Sequence, residues 1–176
     1  MVIVEDTRQH RGKHEAKHEW WAAHGVEVVR RKLDTGDYMT DGSNITIDTK
    51  KGLAEIAGNI GGKAHGRFKR ECVRAADAGL RLVVLIECVG YSNVSDVRTW
   101  TNTHCTKCMY RSQRRCDPSD ARGKCMKHGT HKPIQGDRLS KAMQTMTDRY
   151  GVVFDFCRPR DAARRICELL GVKYKQ

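Results

Sequence analysis

No stretch of this 176-residue chain approaches the run of about 18 apolar residues that a membrane helix requires. That absence excludes a helical membrane protein. The amino-terminal MVIVEDTRQH also lacks the basic region, apolar stretch and cleavage site of a secretory signal. The expectation is a soluble, cytoplasmic protein. There is no internal repeat and no low-complexity tail, so solenoid and disordered classes fall away. Acidic residues are scarce beside basic ones: 21 Asp and Glu stand against 33 Lys and Arg, a net charge of +12. Such an excess favours a polyanionic partner, most simply nucleic acid, because each neutralised phosphate releases counterions.

Cysteine is not scarce, and its placement is uneven. In a reducing compartment eight cysteines do not read as a disulfide framework. Cys72, Cys88, Cys157 and Cys167 are scattered through apolar segments and read as small buried hydrophobes. Cys105, Cys108, Cys116 and Cys125 cluster in a segment poor in large aliphatics and rich in Lys, Arg and His.

Hydrophobic periodicity predicts alternating strands and helices. VIVED, VEVVRRKL, NITIDTK, LRLVVLIECV and GVVFDFC read as strands. RGKHEAKHEWWAAHG reads as a helix with Ala16, Trp20 and Ala23 on its apolar face and Gly25 ending it. KGLAEIAGNI and GRFKRECVRAADAG follow as helices, SNVSDVRTW begins a short capped one, and TGDY reads as a turn. DRLSKAMQTMTDRY places Leu139, Ala142, Met143, Met146 and Tyr150 on one face, and RDAARRICELLG does so with Ala162, Ile166, Leu169 and Leu170. The expected architecture is α/β, a mixed central sheet flanked by helices. Residues 1–103 and 134–176 would form one core, with residues 104–133 inserted between them.

The chemistry concentrates in GDYMTDGSNITIDTK, residues 36–50. Asp37 follows a glycine in a turn, and Asp48 and Lys50 share one face of the strand after it. Two carboxylates brought together by a hairpin suit a divalent cation with oxygen ligands. A lysine beside them can orient or deprotonate the attacking water, or stabilise charge on a phosphoryl oxygen. Read alone, the pair is more simply an exposed strand-face salt bridge worth about 0–1 kcal/mol.

The wider pattern resembles the nuclease domain of the XPF family, within the PD-(D/E)xK group of nucleases. That family shows a strand ending V-x-x-D-x-R-E, a G-D turn and an E-R-K triplet on the following strand. Val2, Val4, Asp6, Thr7, Arg8 and Gln9 match the first element, with Gln9 where Glu is usual. Gly36 and Asp37 match the second. Asp48, Thr49 and Lys50 match the third without its middle arginine. LRLVVLIE and LSKAMQTMTDRYGVVFDFC resemble later core elements, so the likeness covers roughly residues 1–98 and 134–171. It implies a restriction-endonuclease-like fold and metal-dependent hydrolysis of DNA phosphodiesters, branched or flapped DNA as substrate, and a homodimer. Mg²⁺ or Mn²⁺ would be held by Asp37, Asp48 and the Thr49 backbone carbonyl. Lys50 would be the catalytic lysine, Asp6 a further acidic group near the metal and Arg8 a phosphate or network contact. The expected source is a bacterial or phage-infected cell, because no helicase or helix-hairpin-helix module accompanies the nuclease pattern. Glu15 and Glu19 offer another carboxylate or, more simply, a solvated helix face beside lysines. KAHGRFKREC adds Lys63, His65, Arg67, Lys69 and Arg70 near a helix start, a pattern suited to phosphates.

The cysteine segment reads Cys105-x2-Cys108, Cys116, then Cys125-x2-His128-x2-His131. Paired knuckles of this kind close a tetrahedral zinc site. Cys105, Cys108, Cys116 and Cys125 are the best set, with His128 or His131 as alternates. The ion would supply folding energy that the segment's apolar content does not. Arg111, Arg114 and Arg115 would grip the substrate backbone. A His-Me-finger arrangement would move the chemistry to His104 or His128, but its Asp–His pairing is not evident. The reading from a different class is a catalytically inactive nucleic-acid-binding module that docks through the zinc loop.

Overall fold

The computed structural model describes all residues except Arg11, Lys13, Lys63, Ala121, Arg122, Thr130 and Gln176. Six strands, β1 (Ile3–Asp6), β2 (Val28–Arg31), β3 (Tyr38–Thr40), β4 (Ile45–Lys50), β5 (Arg81–Glu87) and β6 (Val153–Cys157), form one mixed sheet. Their order is β2-β1-β3-β4-β5-β6. β1 runs parallel to β2, and β4, β5 and β6 run parallel to one another. β3 is antiparallel to both of its neighbours. The helices are α1 (Glu15–Ala23), α2 (Leu53–Gly61), α3 (His65–Asp77), α4 (Thr103–Thr106), α5 (Met109–Ser112), α6 (Gly136–Tyr150) and α7 (Ala162–Leu170). None is long and apolar enough to cross a membrane, among the described residues.

β5 shows why the sheet is central. Its alternate side chains serve two cores: Leu82, Val84 and Ile86 pack with α2, α3 and α6, while Val83 and Leu85 pack with Trp21 and α7. All five are buried. Each contributes about 1.5–3 kcal/mol by burial, which is why a continuous apolar run rather than an alternating one marks this strand. The apolar faces expected for α6 and α7 are the ones buried.

Two expectations are corrected. Tyr38, read as the last residue of a turn, opens strand β3 at the middle of the sheet. Three residues are too few to show alternation, and pairing on both edges makes the strand. In α1, Ala16 and Ala23 are exposed and Trp20 half-buried, while Lys17 and Trp21 face inward. Trp21 wins the core position because its indole nitrogen donates to the Ala163 carbonyl of α7 at 3.0 Å. Lys17 is buried because it pairs with Glu87 at 2.6 Å.

The base of the cysteine segment is clasped to the core. The Trp100 carbonyl accepts from the Gly136 amide at 2.9 Å, and the Asn102 amide donates to Gln135 Oε1 at 3.1 Å. Gly136 is required here: a Cβ would lie 2.2 Å from the Val97 carbonyl oxygen and 2.6 Å from that of Trp100.

Candidate active site

Asp37 enters β3 directly after Gly36, and the fold leaves no choice at the glycine. Gly36 has φ +72°, and a Cβ there would lie 2.2 Å from Thr46 Oγ1 and 2.9 Å from the Ile47 carbonyl oxygen. The tight approach lets the Asp37 amide bond the Ile47 carbonyl at 2.6 Å. It also lets the side chain reach across to β4. Asp37 Oδ2 accepts from the Thr49 amide at 2.8 Å and the Thr49 hydroxyl at 2.7 Å. Oδ1 accepts from the Gln9 side-chain amide.

Asp48 and Lys50 point the same way from β4, as the strand period requires. Both are buried, at 4% and 8% exposure. This corrects the expectation that a plain pair would lie in solvent: the face they occupy is covered. Lys50 Nζ donates to Asp48 Oδ1 at 2.7 Å. It lies 2.6 Å from Oδ2 as well, but that oxygen has no hydrogen bond of acceptable geometry. One ammonium thus serves both oxygens, which leaves the carboxylate acceptor capacity for a further partner.

The electrostatics agree. Burial pushes the Asp48 carboxyl up to about 8, against the pull of Lys50 and with help from Asp37 and Glu71. For Lys50, burial works against the charged form, but the attraction of Asp48, Asp37 and Glu55 outweighs it and the ammonium is held above its usual range. Both groups keep their protons more firmly than usual. The causes differ: burial leads for Asp48, and for Lys50 the neighbouring carboxylates overcome burial.

Sequence reasoning misses three acids that line the cleft, Glu55, Glu71 and Glu87, of which Glu71 bears most closely on Asp48. It sits on α3, where its Oε1 accepts from the Gly36 amide at 3.2 Å. Arg67, Glu71 and Arg74 recur at helical spacing, and all three line an open cleft of about 400 Å³ with Asp6, Asp37, Asp48, Thr49 and Lys50. That spacing is the available signal, hidden because the segment reads as uniformly basic.

No family model matches this chain, and no curated protein does. Solved structures do. XPF from Aeropyrum pernix superimposes over 97% of this chain with a TM-score of 0.58 at 17% identity. XPF from the same organism in complex with DNA does so over 97% with a TM-score of 0.57, again at 17% identity. The chain has the XPF fold. It spans 66% and 64% of the length of those two chains.

Within the XPF fold, the first motif is tied into a local hydrogen-bond network. Asp6 is buried and lines the cleft, but its oxygens are taken up by Arg8 Nε at 2.5 Å and by the Arg8 and Leu33 amides at 3.3 Å. Arg8 also donates to the Leu33 carbonyl at 2.5 Å, so part of its guanidinium is spent on the loop. Glu15 and Glu19 are exposed, and neither lines the cleft. Of the basic cluster, Arg67 faces the cleft, joined by Arg74. His65, Lys69 and Arg70 are exposed and lie outside its lining. Lys63 lies outside the described residues.

The cysteine segment brings Cys105, Cys108, Cys116, Cys125 and His128 around one small cavity of about 20 Å³. Burial raises the Cys105 thiol, with a further push from the other three cysteines. His131 instead pairs its backbone with Lys124 and does not line this cavity. Among the described residues, no three His, Cys, Asp or Glu side chains close into a metal-binding geometry, in this segment or in the cleft. Arg111 and Arg114 line a groove with Arg98, while Arg115 lies over the Tyr110 ring at 5.5 Å.

Proposed function

We propose that this protein is a divalent-metal-dependent DNA endonuclease acting at the cleft of Asp37, Asp48 and Lys50. The observation that carries this reading is Asp48: a buried carboxylate whose two oxygens share the Lys50 ammonium, set beside Asp37 and Glu71. A cation would take the acceptor positions that Lys50 leaves open and would offset the charges of Asp37, Asp48 and Glu71, so the residues present fit Mg²⁺ or Mn²⁺. Asp37 and Asp48 would hold it, with the Thr49 carbonyl as a further oxygen ligand. The ion supplies Lewis-acid stabilisation of phosphoryl charge and a more acidic water.

The chain's own groups do the rest. Thr49 fixes the plane of Asp37 through two hydrogen bonds. Lys50, kept protonated, donates to the phosphoryl oxygen on which charge develops. Arg67 and Arg74 receive the DNA phosphates at the cleft wall, where neither has an ion-pair partner among those described. The net charge of +12 supports a nucleic-acid substrate, as does the DNA bound by the A. pernix XPF. Branched or flapped DNA and a homodimer follow from the XPF resemblance. Cys105, Cys108, Cys116 and Cys125 hold a structural Zn²⁺ in this reading, with His128 the nearer alternate, and Arg111, Arg114 and Arg115 grip the backbone.

The test is cleavage of end-labelled duplex, single-stranded, flap and four-way-junction DNA with Mg²⁺, Mn²⁺ or EDTA. Cutting that needs metal and disappears in Asp48→Ala supports the reading. Tight binding by both proteins without cutting would leave a non-catalytic binding module.

A further inference from the structure

A partly buried polar chain runs from Asp37 to the end of β5. Gln9 donates its amide to Asp37 Oδ1, Gln9 Oε1 lies 3.0 Å from His14 Nε2, and His14 Nδ1 lies 3.3 Å from Lys17 Nζ. Lys17 in turn donates to Glu87 Oε1 at 2.6 Å. His14 and Lys17 are both at least nine-tenths buried, at 9% and 8% exposure.

The direction of every bond is fixed by its ends. An ammonium has only donors and an ionised carboxylate only acceptors. Lys17 must therefore donate to His14 Nδ1, so the ring carries its hydrogen on Nε2 and donates to Gln9 Oε1. That leaves the Gln9 NH₂ for Asp37. The same logic accounts for glutamine at position 9, since an ionised glutamate has no hydrogen to give Asp37. The backbone of Gln9 is pinned as well: its amide donates to the Asp6 carbonyl at 3.0 Å, and its carbonyl accepts from Arg30.

A carboxylate offers about four acceptor positions. Thr49 takes two, on Oδ2, and Gln9 takes one, on Oδ1. One position on Oδ1 is left. We propose that His14 and Lys17 are positioning residues for the cleavage reaction: through Gln9 they fix the Asp37 carboxylate so that a single Oδ1 acceptor position faces the divalent cation. The inference rests on the reading of Asp37 as a metal ligand.

Its test is Mn²⁺ affinity by titration calorimetry, read beside the single-turnover cleavage rate, for wild type, His14→Leu, His14→Gln and Lys17→Met. Loss of a residue that orients a ligand costs about tenfold or more in metal affinity or rate. His14→Leu should weaken Mn²⁺ binding and slow cleavage by about tenfold with little change in DNA binding. His14→Gln, which offers one donor and one acceptor as the neutral ring does, should recover most of both. Wild-type affinity in His14→Leu, or a His14→Gln variant as impaired as the leucine, would overturn the proposal. If His14→Leu does not fold, Lys17→Met decides it in the same way: a similar weakening supports the chain, and wild-type affinity overturns it. A wild-type protein that binds no Mn²⁺ overturns the metal reading and this chain with it. A wild type that binds and cleaves beside an unimpaired His14→Leu overturns the chain alone.

Discussion

Asp48 and Lys50 are in contact at 2.7 Å, both buried, on the same face of β4. Removing one member of a buried pair usually strands the other. Here it would not, because Lys50 keeps the attraction of Asp37 and Glu55. Asp48→Asn should therefore raise the melting temperature in EDTA at pH 8 by a few degrees, on the order of 1 kcal/mol for a chain of this size. Thermal unfolding in EDTA checks it.

The pH dependence has a defined sign. The Asp48 carboxyl is raised from 3.8 to about 8 in the folded protein. The native state then binds the proton more tightly than the unfolded chain, so this group favours folding at low pH. That contribution is lost as the pH rises through about 8. Metal-free protein should lose stability between about pH 4 and 8 from this group, and Asp48→Asn should flatten that part of the curve. Mn²⁺ should also flatten it, by stabilising the ionised carboxylate. Urea titrations across the range, with and without Mn²⁺, measure this.

Gly36→Ala should destabilise the fold by about 2 kcal/mol or more, through left-handed backbone and overpacking together. The added methyl meets Thr46 and the Ile47 carbonyl. Because Asp37 is the next residue, metal affinity should fall with stability. Urea unfolding and Mn²⁺ titration of the same variant read both.

Arg67→Ala and Arg74→Ala should each weaken DNA binding and reduce the slope of log affinity against log salt by about 1. Arg70→Ala, outside the cleft lining, should change either one less. Fluorescence anisotropy at several salt concentrations separates them, and equal effects at all three positions would argue against a cleft-directed role for α3.

Much of this architecture is legible in the amino-acid sequence. The strand-helix alternation, the continuous apolar run of β5 and the faces of α6 and α7 are set by side-chain burial alone, which sequence records directly. The positions of Asp37, Asp48 and Lys50 are legible because strand period and a glycine turn fix them locally. Glu71 and Arg74 are not, since their role depends on how α3 packs against the Gly36 turn. Lys17 is hidden for a related reason: a buried lysine is intelligible only once Glu87, 70 residues away, is seen beside it. The bounds of β3 escape a reading of the sequence, though the hairpin does not, because its strand character comes from two neighbours and not from its own three residues.

The measurement that tests the central claim most directly is metal-dependent cleavage of labelled DNA by wild type and Asp48→Ala. The account predicts cutting with Mg²⁺ or Mn²⁺, none with EDTA, and a loss of at least about 100-fold in the variant with DNA binding retained. Cutting that survives in Asp48→Ala, or in EDTA, would contradict it.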